Sequence, residues 1–275
     1  MPLWFFTTSA LLFGLLFGSF ANVVIWRVPR GEPIASPGSH CPRCEASIAW
    51  YDNVPVLSWL ALRARCRSCG APIPARYPVV EAASGLLFAV AAIKFGTSWT
   101  AIVAMALFWF LLVLSVIDLD TMRLPNSLVG TLAGIGLIAA VAGQVTGAHL
   151  APLVGMPGSG WLAAPIPVAL PGALIGLAVS GGLAGLYALV RGRRGLGMGD
   201  VKLLAVLGMF LGAYVVMCMF LGSLLGMIVG LLAARGRSAA ETKIPFGPWL
   251  AAGGVLTVLI GPALWAWYLG LVGLI

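Results

Sequence analysis

This sequence carries very little charge: of its 275 residues, 16 are Lys or Arg, 8 are Asp or Glu and 2 are His. A soluble domain keeps about a quarter of its residues charged, so a water-facing surface over the whole chain is excluded. Hydrophobic residues make up 61% of the sequence and the mean hydropathy is +1.04. No basic segment precedes the first apolar run, 3–26; the arginines follow it, and the run is too long for a signal-peptide core, so it is expected to be an uncleaved first span. The Gly-rich runs lie inside apolar segments and follow no strand, which excludes a dinucleotide fold. The +8 net charge calls for no nucleic acid; it is a topological signal and gives affinity for anionic lipid.

What remains reads as an all-α polytopic membrane protein of about eight transmembrane helices with a small cytoplasmic zinc-binding insertion. The expected spans are 3–26, 79–95, 99–117, 127–145, 167–190, 201–213, 214–234 and 247–273, most of them near the ~20 residues that cross a bilayer. The apolar run 201–232 would reach about 48 Å as one helix, too long for a ~30 Å hydrocarbon layer, so two short helices hinged near Gly212 are expected. With that hairpin, 15 of the 16 Lys and Arg fall on one side and only Lys94 on the other, which places the N-terminus outside and the polar insertion in the cytoplasm. The chain then divides into a first helix (1–26), a module (27–78) and a transmembrane core (79–275). Within the first helix Gly14-x-x-x-Gly18-Ser19 is a small-residue stripe suited to close helix contact, and the polar amide of Asn22 requires a partner.

The module holds four of the five cysteines, as Cys41-Pro-Arg-Cys44 and Cys66-Arg-Ser-Cys69. Two C-x2-C turns can close the tetrahedral S4 shell that zinc prefers; the bland alternatives are redox dithiols or a disulfide staple. His40, beside Cys41, is a candidate supporting or substitute ligand. Cys218 lies in an apolar run and reads as packing. His149, alone in the Gly- and Pro-rich 143–170 segment expected to be an exported loop, reads as solvated.

All eight acids lie near the expected cytoplasmic side, and two of them border apolar helices. Asp118 closes one, against its dipole; Asp200, after Gly197-Met198-Gly199, opens another, where the ordinary reading is an N-cap. Two carboxylates brought together at one membrane depth would form an aspartyl dyad, one group protonated while the other activates water. Glycines before Asp200 would let an extended substrate approach closely.

Gly18-Ser19-Phe20-x-Asn22-Val23, Arg30-Gly31-Glu32-Pro33, His40-Cys41-Pro42-x-Cys44, Trp50-Tyr51-Asp52-Asn53-x-Pro55, Arg65-Cys66-Arg67-x-Cys69, Arg76-Tyr77-Pro78-x-Val80-Glu81, Ile117-Asp118, Leu124-Pro125-Asn126, Gly197-Met198-Gly199-Asp200-Val201-Lys202 and Ile244-Pro245-Phe246-Gly247-Pro248 together resemble the bacterial type IV prepilin leader peptidases, GxGD-type aspartyl membrane proteases. The resemblance implies a bifunctional inner-membrane enzyme. It would cut the basic leader from type IV prepilins or type II secretion pseudopilins at the cytoplasmic face, after a glycine, and methylate the new N-terminus from S-adenosylmethionine.

Carried over, the peptidase aspartates are Asp118 and Asp200 rather than Asp120, and the tetracysteine module matches the family's zinc-binding segment. Asn22, Glu32 and Glu81 are the candidate polar groups for the methyl donor. Many bifunctional members read Arg-Gly-Arg-Cys where this chain reads Arg63-Ala64-Arg65-Cys66, a methyl group that would strain a turn or crowd a cofactor. A basic leader meets a cationic face, so its recognition must rest on local acids such as Glu32, Glu45 or Glu81. The readings weighed against this one are a peptidase without methylation, a transporter and a non-catalytic zinc scaffold.

Overall fold

The computed structural model describes residues 2–147, 150–151, 153–154, 165–192, 195–233 and 245–273. His149, Glu241, Ile244 and the cations Arg193, Arg194, Arg235, Arg237 and Lys243 lie outside them. Among the described residues the secondary structure is helical, and the only β-pairing consists of two isolated bridges in the cysteine module. The chain forms two compact units, Met1–Ile117 and Asp118–Ile275.

The first unit contains α1 (Leu3–Arg27), a short α2 (Leu57–Ala61), α3 (Arg76–Phe95) and most of α4 (Trp99–Thr121). Its close contact is α1 on α3. A Cβ on Gly14 would come within 2.8 Å of Gly85 Cα, and one on Gly18 within 2.5 Å of Glu81 Cα. Only hydrogen at these two positions lets the backbones meet, as the stripe in the sequence requires. Trp109 on α4 completes the layer by donating from Nε1 to the Phe17 carbonyl at 2.9 Å and stacking on Phe20.

The second unit takes the end of α4 and adds α5 (Asn126–Thr146), α6 (Pro165–Arg191), α7 (Met198–Leu211), α8 (Val215–Ala233) and α9 (Gly247–Leu271). Here α6 and α7 approach through glycine: a Cβ on Gly172 would collide with the Gly208 carbonyl oxygen, and the reverse also holds. α8 and α9 meet in the same way at Gly222 and Gly253, with Cys218 fully buried between them.

Among the described residues seven segments are long and apolar enough to cross a membrane, which makes this a multi-pass membrane protein. The longest of them, Met198–Leu232, is broken where Gly212 takes φ +57 and a 3-10 turn separates α7 from α8. That left-handed backbone favours glycine. The chain also reverses there. Asp200 lies in electrostatic reach of Asp118, which binds the start of α9, and Gly226 on α8 faces Trp249 in that same first turn. The hinged pair expected from the sequence is therefore what forms.

Several helix ends differ from expectation. α3 begins at Arg76 rather than 79, because Pro78 fits the first turn of a helix. α4 runs on to Thr121, so Asp118 sits inside its last turn, and α6 starts at Pro165 within the segment expected to be an exported loop.

Candidate active site and cysteine centre

Asp118 is 5% exposed, and its Oδ2 accepts the backbone N–H of Gly247 at 2.9 Å. A carboxylate in the last turn of α4 is opposed by that helix's own dipole, but Gly247 is the first residue of α9, so the favourable end of a second dipole faces it. A Cβ on Gly247 would lie 2.7 Å from the same oxygen. Only glycine gives the N–H while leaving the carboxylate room.

Asp200 is half-buried, in electrostatic reach of Asp118. It is not the N-cap of α7. That position belongs to Gly197, and Asp200 is the third helical residue, with its carboxylate lying back over Gly197. A Cβ on Gly197 would stand 3.0 Å from Asp200 Oδ2, so at both aspartates a glycine lies against the carboxylate. Gly199 packs on Leu124, in a loop where Met122 takes φ +51, and Lys202 donates from Nζ to Asn126 Oδ1 at 3.0 Å, tying α7 to the start of α5. Asp120, by contrast, is exposed.

In the other unit the cysteine module is built from two matching knuckles. The Cys41 N–H donates to the Ala46 carbonyl and the Glu45 N–H to the Cys41 carbonyl; the Cys66 N–H donates to Ala71 and the Gly70 N–H to Cys66. The residue after each second cysteine is left-handed: Glu45 at φ 57 and Gly70 at φ 69. The four sulfurs lie within 4.8 Å of one another, Cys41 to Cys69 at 3.9 Å. A tetrahedron with Zn–S bonds of 2.3 Å has S···S edges of about 3.8 Å, whereas a disulfide is about 2 Å, so the spacing fits a metal and excludes the staple.

The Arg43 and Cys44 backbone N–H groups hold the Cys41 thiol down to about 6. The Ala46 N–H acts likewise on Cys44, but the sulfurs of Cys69, Cys41 and Cys66, together with burial, push that thiol up to about 12. His40 is exposed and its Nδ1 lies 3.0 Å from the Gly38 carbonyl. Arg67, between the cysteines of the second knuckle, grips Asp52 through two bonds of 2.6 and 2.7 Å and holds its carboxyl below the usual range.

Two of the three candidate methyl-donor residues lie on the α1–α3 seam, where Gly18, one turn before Asn22, meets Glu81. Asn22 is buried and donates from Nδ2 to the Tyr77 carbonyl; Glu81 is buried and accepts the Val56 N–H at 2.7 Å; Glu32 is exposed in the loop after α1. Buried as it is, Glu81 is not a surface acid for a basic leader. Arg27, which the sequence did not single out, is buried and donates to the carbonyls of Pro33 and Pro37, pinning that loop.

Gly247 is the partner of Asp118 that sequence reasoning did not connect to it. In the sequence the Pro245-Phe246-Gly247-Pro248 motif carries only a resemblance, and the carboxylate it meets lies 129 residues away.

A multi-pass membrane protein with two aspartates in electrostatic reach of each other in one unit and a four-sulfur centre in the other matches two family models. Residues 12–95 match the bacterial peptidase A24 N-terminal domain and 105–231 the type IV leader peptidase family. Relatives named prepilin leader peptidase/N-methyltransferase are similar over nearly the whole chain. That of Stutzerimonas stutzeri is 38% identical over 96% of this chain and 94% of its own length. That of Pseudomonas putida is 37% identical over 98% and 96%, and that of Burkholderia pseudomallei strain 1026b is 38% identical over 92% and 84%. No solved structure matches. The chain belongs to the type IV leader peptidase family.

Proposed function

We propose that this protein is a membrane aspartyl peptidase that removes the leader from type IV prepilins or type II secretion pseudopilins and methylates the amine so released. The observation that carries the peptidase reading is the pair Asp118 and Asp200, in electrostatic reach of each other, each with a glycine close against its carboxylate. Like charges at close quarters make it costly to ionise both, so one holds a proton while the other is free to take one. The ionised carboxyl removes a proton from water, whose oxygen attacks the scissile carbonyl carbon. The protonated carboxyl hydrogen-bonds the carbonyl oxygen, and the C–N bond breaks as the leaving nitrogen takes a proton.

The pilin's apolar helix would dock laterally against the spans. The enzyme would sit in the inner membrane, with N-terminus periplasmic and aspartates and cysteine module at the cytoplasmic face, in keeping with the charge distribution and with a chain that returns to the aspartate side after Gly212. Cys41, Cys44, Cys66 and Cys69 would hold one zinc, which in a closed four-sulfur shell supplies folding energy rather than catalysis.

Methylation would draw its group from S-adenosylmethionine. Asn22, Glu32 and Glu81 are the polar groups proposed for that donor; within the chain Asn22 and Glu81 each make a bond to backbone and Glu32 is exposed. A peptidase without methylation is the second reading, motivated by Ala64.

The test is purified protein incubated with prepilin and labelled S-adenosylmethionine. Mass spectrometry should show loss of the leader and gain of one methyl group on the new N-terminus. Cleavage without label would leave the peptidase reading alone, and neither change would contradict both.

A further inference from the structure

The cysteine module is tied to α3 at a buried point, where Glu81 Oε2 accepts the Val56 N–H at 2.7 Å. Glu81 is five residues beyond Arg76, the first residue of membrane-spanning α3, or about 7.5 Å along its axis. A carboxylate on a helix leans back toward the N-terminus, so Val56 is held close to the level at which α3 enters the apolar layer. The next residue opens α2.

On α2, Leu57 and Leu60 share a face by their spacing, and they are 64% and 58% exposed. Trp50, in the 3-10 turn bonded to α2 through Ser58, is 82% exposed. So much open apolar surface on a small module marks an interaction site. Straight after α2 the chain turns through Arg63 and Ala64 in left-handed conformation, and Arg63 and Arg65 are exposed with no ion pair among the described residues. On α3, Val79, two residues before Glu81, is 63% exposed, so the lipid-facing surface of that helix begins at the same level.

We infer that the α2 face of the cysteine module is a membrane-surface anchor, with Leu57 and Leu60 in the interface of the bilayer and Arg63 and Arg65 on anionic lipid headgroups. Apolar side chains beside cations are the pattern of a segment lying in the interface plane. Continuity with α3 and the positive charge favour lipid over a protein partner. The inference rests on the membrane-spanning character of α3 and is independent of the peptidase reading.

The test places p-benzoylphenylalanine at Leu57, Leu60 or, for comparison, Ser68 on the second knuckle, in full-length protein reconstituted into phosphatidylglycerol or phosphatidylcholine vesicles. Adducts are identified by mass spectrometry after irradiation, with and without a prepilin peptide, and zinc content verifies the fold. Positions 57 and 60 should yield lipid adducts at least about fivefold over position 68. Phosphatidylglycerol should be favoured, by a margin that falls about fivefold for each of Arg63→Gln and Arg65→Gln. Equal yields at all three positions, adducts with the peptide alone, or no lipid adduct in zinc-replete protein would overturn the inference.

Discussion

The backbone N–H of Gly247 donates to Asp118 Oδ2 at 2.9 Å, and a Cβ on Gly247 would stand 2.7 Å from that oxygen. The start of α9 therefore sets where the Asp118 carboxylate lies and how much room it has. Gly247→Ala should lower leader cleavage about 100-fold, the scale of a small misplacement of a catalytic group, with most of the loss in kcat and with zinc content unchanged. Steady-state kinetics on a prepilin peptide measures it; near-normal kcat would remove Gly247 from the site.

Zinc content should be one per chain. It should fall when any of Cys41, Cys44, Cys66 or Cys69 becomes Ser, with loosening of 27–78 detectable by hydrogen exchange, since the metal's binding energy is folding energy in such a centre. Cys218→Ser should keep the metal, because that thiol is buried between α8 and α9. Elemental analysis separates these cases, and full zinc in a Cys44→Ser protein would contradict the assignment.

Ala64→Gly should stabilise the module by about 1 kcal/mol, because Ala64 takes φ +57 and a left-handed backbone costs a residue with a side chain roughly 1–2 kcal/mol. The turn is a Schellman close of α2, the Ala64 N–H reaching the Trp59 carbonyl and the Arg63 N–H the Leu60 carbonyl. The temperature at which zinc is released should rise. A lower one would show that the methyl group packs favourably.

Gly208→Ala should destabilise the second unit by about 1–3 kcal/mol through overpacking, since its Cβ would meet the backbone of Gly172. Gly134→Ala on α5 has open space around it and should be neutral or stabilising by about 0.5–1 kcal/mol, the helix preference of alanine over glycine. Thermal unfolding in detergent distinguishes the two, and equal effects would contradict the close α6–α7 contact.

The helices and the break at Gly212 were legible because apolar run length against bilayer thickness is a one-dimensional argument. The sulfur centre was legible because both ligand pairs are local in sequence. Asp118 was marked by its position against its own helix dipole, but the donor that answers it is 129 residues away, and nothing local points across that distance. Asn22 stood out as a polar amide that requires a partner, and Glu81 was grouped with it as a candidate for the methyl-donor pocket. Their hydrogen bonds to Tyr77 and Val56 backbone depend on how α1, α3 and the module pack, which no spacing encodes.

Cleavage of a purified prepilin by Asp118→Asn and Asp200→Asn proteins tests the central claim most directly. An amide keeps the shape of each carboxyl but cannot exchange a proton in its place, so each variant should insert, retain one zinc and cleave nothing measurable, while Asp120→Asn cleaves normally. Near-normal cleavage by either of the first two, or loss with Asp120→Asn alone, would contradict the dyad.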